Sequence, residues 1–270
     1  MLKQKLMSAA VATTLLAGAG LAQAQEEKLQ EAIVTGDSLV EGFQISANVA
    51  LTSDYRFRGI SQTGEDAAVQ GGFDAEFGPG FYIGTWASSV DFGDVDDGSG
   101  SFGTMEIDYY AGWASAIGDT DFGIDVGYMY YQYPGDTVDP EGDYQEFYVG
   151  GSWKDLSLKV VYSDDYYAET DEFWYVSGDY SFTLLEDFTI DLHVGYNMLD
   201  EDGGFFGSDE NGVAYTEDTY TDYSIGVTYS WASVDFSVAW VGTDLDEDDV
   251  GKAFEEAGDD TAVFTISKSL

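Results

Sequence analysis

Cysteine is absent from this 270-residue chain, so no disulfide framework can staple its fold. Stability must come instead from a large closed network of backbone hydrogen bonds. Lysine and arginine are scarce, 9 against 52 aspartates and glutamates, and the formal charge is -43. Two of those cations, Lys3 and Lys5, open the chain, so its remainder is more acidic still. Such a charge repels phosphates and excludes nucleic acid as a partner. It also keeps loops solvated and suits a saline habitat, where salt screens self-repulsion.

Long apolar runs are missing too. The run from Leu6 to Leu21 follows Lys3 and Lys5 and ends at Ala22-Gln23-Ala24, the pattern of a secretory signal peptide over residues 1–24. No later stretch approaches the roughly 20 apolar residues of a membrane helix. Residues 25–41 are polar and lack alternation, which predicts a periplasmic lead-in. Within them Glu31-Ala32-Ile33-Val34-Thr35-Gly36 resembles the start of TonB-dependent receptors, whose plug and larger barrel a chain of this length cannot hold.

What the chain has in quantity is glycine, 33 residues, and aromatics, with 20 Tyr, 17 Phe and 6 Trp against only 3 Pro. That composition favours strands over helices. Alternation confirms the preference: Phe188, Ile190, Leu192, Val194 and Tyr196 share one face, and Thr189, Asp191, His193, Gly195 and Asn197 the other. Phe43, Ile45, Ala47, Val49 and Leu51 repeat it against Gln44, Ser46, Asn48 and Thr52. Between about 81 and 91 the pattern blurs, because Phe81 and Trp86 fall on opposite faces.

Twelve such stretches are separated by two kinds of connection. Gly78-Pro79-Gly80, Gly118-Asp119-Thr120, Lys154-Asp155, Glu186-Asp187 and Ser230 to Ser233 are tight turns. The connections near 54–66, 92–102, 134–142, 163–171, 200–217 and 243–259 are longer and acidic. Short turns at one end and long loops at the other characterise bacterial outer-membrane barrels. The fold class read here is therefore all-β: a transmembrane, antiparallel, up-and-down β-barrel of about 12 strands over residues 42–270, with short periplasmic turns and long acidic outer loops. Tyr128, Tyr130, Trp113, Trp153, Tyr229, Trp231 and Trp240 fall near strand ends, where interfacial girdles belong.

The segment Asn48-Val49-Ala50-Leu51-Thr52-Ser53-Asp54-Tyr55-Arg56-Phe57-Arg58-Gly59-Ile60-Ser61-Gln62-Thr63 resembles the start of the TorF-type porins, a family of short Gram-negative outer-membrane proteins. Further similar stretches follow at 80–88, 106–112 and 127–135. The resemblance implies an outer-membrane barrel with a channel role and supplies no substrate. One departure is the end of the chain, Leu270, where barrels usually finish on an aromatic residue read by the assembly machinery.

Parity assigns the candidate pore lining. Asp74, Glu76, Glu106, Asp108, Asp125, Asp191, His193, Asp222 and Asp235 fall on inward faces. Arg56 and Arg58 join them if the first strand continues to the outer mouth. There they either define a narrow point or brace the first loop as salt-bridged struts. The acid excess among these residues predicts a passive channel for small hydrophilic solutes that prefers cations. The alternatives are a non-conducting structural or surface-interaction barrel, and an outer-membrane enzyme. His193 and Asp191 share a strand face, but no nucleophile motif accompanies them and a triad needs a converging third group.

No cofactor is implied. Asp94, Asp96 and Asp97, and Asp244, Asp246, Glu247, Asp248 and Asp249, lack the spacing of a calcium loop. Weak divalent cation binding there, bridging to anionic lipopolysaccharide, is the partner reading they allow, alongside outer-membrane lipid.

Overall fold

The computed structural model describes residues 43–93, 100–200, 204–208, 213–246 and 250–270. Its wall is a closed antiparallel barrel of twelve strands. In chain order these are β1 (Phe43–Thr52), β4 (Ala68–Phe77), β5 (Phe81–Ser89), β6 (Met105–Ala116), β7 (Phe122–Gln132) and β8 (Tyr144–Trp153). The second half comprises β9 (Leu156–Ser163), β10 (Phe173–Leu185), β11 (Phe188–Met198), β12 (Thr219–Trp231), β13 (Val234–Thr243) and β14 (Thr261–Ser269). Two short strands, β2 (Arg56–Phe57) and β3 (Ile60–Ser61), form a separate hairpin, and a helix, α1 (Lys252–Gly258), lies among the described residues of the last long connection. The signal peptide and lead-in predicted before residue 42 lie outside the described residues, as do Asp94, Asp96, Asp97 and Glu247, Asp248 and Asp249.

Closure is completed where β1 pairs with both β4 and β14. Beyond the ladder, Leu270 exchanges backbone hydrogen bonds with Ala47 at 2.8 and 3.2 Å, extending that seam to the last residue. A closed sheet leaves no unpaired edge, which is the condition for strands to stand in hydrocarbon. The strands run from 8 residues in β9 to 13 in β10, the length of a tilted membrane strand.

Polarity is inverted relative to a water-soluble protein. Outward positions carry large apolar side chains, including Ile45 at 68% exposure, Phe73 at 64% and Val69 at 60%. Inward positions bury Asp108 at 0% exposure, along with Glu106, Asp191 and Asp222. Alternation alone cannot say which face turns in; this distribution does, because a soluble barrel would bury the apolar face. Trp86 turns inward and Phe81 outward, which accounts for the blurred pattern in β5.

Aromatics band the outer surface at both rims. On the turn side Phe77 stacks on Phe81 and Phe122 on Trp153, and the Trp113 Nε1 donates to the Pro79 carbonyl at 2.8 Å. On the loop side the polar tips reach loop carboxylates: Tyr130 to Asp143 at 2.9 Å, Trp174 to Glu172 at 3.1 Å and Tyr223 to Asp260 at 2.6 Å. Such rings place an apolar body in lipid and a polar tip in water.

Candidate functional site in the barrel lumen

The chain leaves the wall after Thr52 and turns into the lumen. Loop 1, residues 53–67, is organised around Asp54, whose Oδ1 accepts from Ser61 at 2.7 Å and Thr63 at 3.1 Å, and whose Oδ2 accepts from Arg56 Nε at 2.5 Å. These bonds fold β2 onto β3 with Arg58 and Gly59 as the connecting pair. Their φ angles are 49° and 81°, the positive values that a two-residue hairpin turn of matching twist requires. Glycine supplies such a φ freely, whereas arginine at this φ is strained.

The hairpin crosses the loop end of the lumen and touches several parts of the wall. Tyr55 packs edge-on against Trp86 of β5 and donates to Glu106 of β6 at 3.0 Å. Gly59 abuts Thr243 of β13 and Asp222 of β12, so closely that a Cβ there would stand 3.0 Å from the Asp222 Cβ. Arg56 donates to the Ala257 and Asp259 carbonyls at 2.5 and 3.2 Å, capping the C-terminal end of α1. Arg56 therefore acts as a strut between loop 1 and the last loop.

Arg58 reaches furthest. Its Nη2 lies 2.7 Å from Glu146 of β8, with the arginine side chain 6% exposed and the glutamate 4%. The guanidinium carbon stands 4.6 Å from the ring centres of both Phe173 and Tyr175, and 4.5 Å from that of its neighbour Phe57. Burial opposes its charge, but the Glu146 carboxylate together with the phenols of Tyr166, Tyr131 and Tyr144 offsets this and holds the guanidinium above its ordinary value. Burial likewise pushes the Tyr166 phenol up to about 12, so beside Arg58 it stands as a neutral ring and an acceptor.

Below the hairpin the wall carries carboxylates, most of them partnered by hydroxyl side chains. Asp74 accepts from Tyr110, Asp125 from Tyr82 at 2.6 Å, Asp191 from Ser181, and Asp235 from Ser230 at 2.5 Å. Glu76 is exposed near the turn end. Several of these tyrosines lie over glycines of the neighbouring strand: Tyr82 faces Gly112, Tyr110 faces Gly84, and Tyr148 faces Gly127. A Cβ at Gly112 would collide with the Tyr82 ring and approach the Val126 carbonyl to 2.8 Å.

His193 does not pair with Asp191, its neighbour on the strand. Its Nδ1 faces Asp179 at 2.7 Å and its Nε2 faces Asp222 at 2.9 Å, with the Tyr175 hydroxyl 3.0 Å from Nε2. Both nitrogens can donate together only when the ring carries both protons, a bridge between two carboxylates. Asp108, fully buried beside Glu106, has neither carboxylate oxygen in a hydrogen bond. Among the described residues no group of three His, Asp or Glu side chains is placed to hold a metal ion.

Parity pointed to the acids named above and did not pick out Glu146, Asp179 or the aromatic set of Tyr166, Phe173, Tyr175 and Tyr131, whose hydroxyl donates to Glu146 at 2.9 Å. Glu146 was within reach, since it alternates with Phe147 in β8. The aromatic set was not, because inward tyrosines read as apolar residues in an alternation count.

A model of bacterial proteins of unknown function, Gcw_chp, matches residues 37–270. The chain belongs to the Gcw_chp family. No curated protein sequence matches it. Among solved structures this Gcw_chp protein is similar in fold to the KdgM porin, at 11% identity and a TM-score of 0.50, over 83% of this chain and 97% of that one. KdgM has also been solved in complex with disordered oligogalacturonate. The NanC porin (12% identity, TM-score 0.49, 83% and 98% coverage) and the outer membrane channel DcaP of Acinetobacter baumannii (12%, 0.45, 85% and 96%) also match the Gcw_chp chain.

Proposed function

We propose that this protein is an outer-membrane channel for small hydrophilic solutes, cation-preferring, with loop 1 as the closing element at its outer end. The observation that carries this reading is the inward face of the turn-end half, where Asp74, Glu76, Asp125, Asp179, Asp191 and Asp235 are opposed by Lys159 and His193. Carboxylates in a confined aqueous passage raise the local cation concentration, and low-dielectric walls focus that field. Twelve strands fall between barrels that side chains fill and porins that hold open water, so one inserted hairpin suffices to close the lumen.

The inverted polarity, the aromatic rims and the porin-like fold support the outer membrane as its location. An export role for residues 1–24 agrees with it. The TorF-type resemblance rests most firmly on Asn48 to Thr63, a stretch that includes the inserted hairpin. Polyanions of the oligogalacturonate kind are poor cargo for this wall. Exposed loop acids such as Asp244 and Asp246 can meet lipopolysaccharide through shared divalent cations.

The rival reading, a non-conducting structural barrel, is favoured by the burial of loop 1. Planar-bilayer recording decides between them: a channel must conduct at least when Arg58 is replaced, and a structural barrel must stay silent in every variant. The hydrolase reading of His193 predicts lost hydrolysis in His193→Ala. The arrangement supports a bridging role instead, for which the same change perturbs conductance or stability.

A further inference from the structure

We propose that the aromatic box now filled by Arg58 is a binding site for guanidinium-bearing solutes, which loop 1 occupies as a tethered ligand. The inference rests on the channel reading above and names the chemistry of a solute that its outer end recognises.

Phe173, Tyr175 and Glu146 belong to the wall and Tyr166 to the adjoining loop, so these groups remain if the hairpin withdraws. Phe173 stacks on Tyr166 with ring centres 4.1 Å apart, and both rings face the guanidinium, 4.6 and 5.8 Å from its carbon. Arg58 Nη1 donates to the Tyr166 hydroxyl at 3.3 Å. Glu146 Oε2 accepts from Tyr131 at 2.9 Å, while Oε1 has the Arg58 ion pair and no other hydrogen-bond partner. A planar, weakly hydrated cation with in-plane N–H groups satisfies these rings and this carboxylate together. A spherical or fully alkylated cation meets the rings but leaves Glu146 without a donor.

Vacating the box leaves a buried carboxylate uncompensated, so an incoming cation replaces a need that Arg58 now fills. The strained φ at Arg58 works against the closed hairpin, and the contacts of its side chain work for it. A free guanidinium competes for those contacts and gains nothing from the strain. Binding in the box and withdrawal of the hairpin are therefore linked.

The test uses the full chain with Arg58→Asn, because Asn-Gly suits a positive-φ hairpin turn while emptying the box. Heat-shifted gel migration first shows that the variant is folded. Calorimetry in detergent then measures binding of guanidinium, with tetramethylammonium and sodium as comparison ions at equal ionic strength. Saturable guanidinium binding at least tenfold tighter than tetramethylammonium, weakened tenfold or more in wild type and lost in Arg58→Asn/Glu146→Gln, is expected. Equal affinity for the two organic cations, or binding untouched by Glu146→Gln, overturns the box. Should Arg58→Asn not fold, millimolar guanidinium must raise wild-type channel opening above that in tetramethylammonium, and equal opening overturns the proposal. Because calorimetry does not depend on conductance, a variant that conducts without binding defeats only the box. One that binds without conducting defeats only the channel.

Discussion

At the scale of single residues, the Arg58–Glu146 ion pair is buried, and breaking it from either side strands a charge. Arg58→Ala and Glu146→Gln should each lower stability, by an amount of about 3–5 kcal/mol for the change that leaves a bare charge. The double variant should lose less than the sum, because neither charge is left alone. Chemical denaturation followed by gel migration checks this, and additive losses would mean that the pair is not coupled. Glycine supplies the second case. Gly112→Ala must displace the Tyr82 ring and press on the Val126 carbonyl, at a cost of about 1–3 kcal/mol, whereas Gly150→Ala meets its nearest atom at 3.7 Å and should be tolerated. The inward acids were legible here because polarity alternates cleanly at Asp74, Asp125, Asp191 and Asp235. The tyrosines that partner two of them were not, since a phenol over a glycine depends on the register between neighbouring strands, which alternation within one strand does not give.

At the scale of elements, the wall was legible in full: twelve strands, with turns at Gly78 to Gly80, Lys154-Asp155 and Glu186-Asp187, match the barrel order. The loops were legible only as loops. The residues near 54–66 contain a hairpin whose turn, Arg58-Gly59, lacks the Asn-Gly or Asp-Gly that announces one, and its fold depends on the Asp54 bonds. Helix α1 was equally hidden in the acidic stretch at 243–259; it is 7 residues long, and Gly251 at its N-cap gives no side-chain hydrogen bond. Arg56 and the β3 contact hold it in place. The ends of the barrel give a direct test. Cysteines placed singly at Ser208 and Asp246 should react with an impermeant thiol reagent on intact cells, and those at Pro79 and Asp119 should not. All four side chains are exposed in the fold, so the membrane alone must produce the difference. Reversed labelling would invert the orientation.

For the whole molecule, the inverted polarity makes a further demand. A closed barrel with apolar residues outward should fractionate with outer membranes, and its unboiled form should migrate apart from the boiled one. Recovery as a soluble periplasmic protein would contradict the lipid-facing surface. The central claim is that this acidic lumen conducts cations and that loop 1 closes it. Reversal potential across a salt gradient in a planar bilayer, recorded for wild type and Arg58→Asn, tests both halves together. The account predicts larger conductance in the variant, cation selectivity in both proteins, and a selectivity that fades as the screening length falls toward about 3 Å near 1 M salt. Anion selectivity, or silence in both proteins, would contradict it.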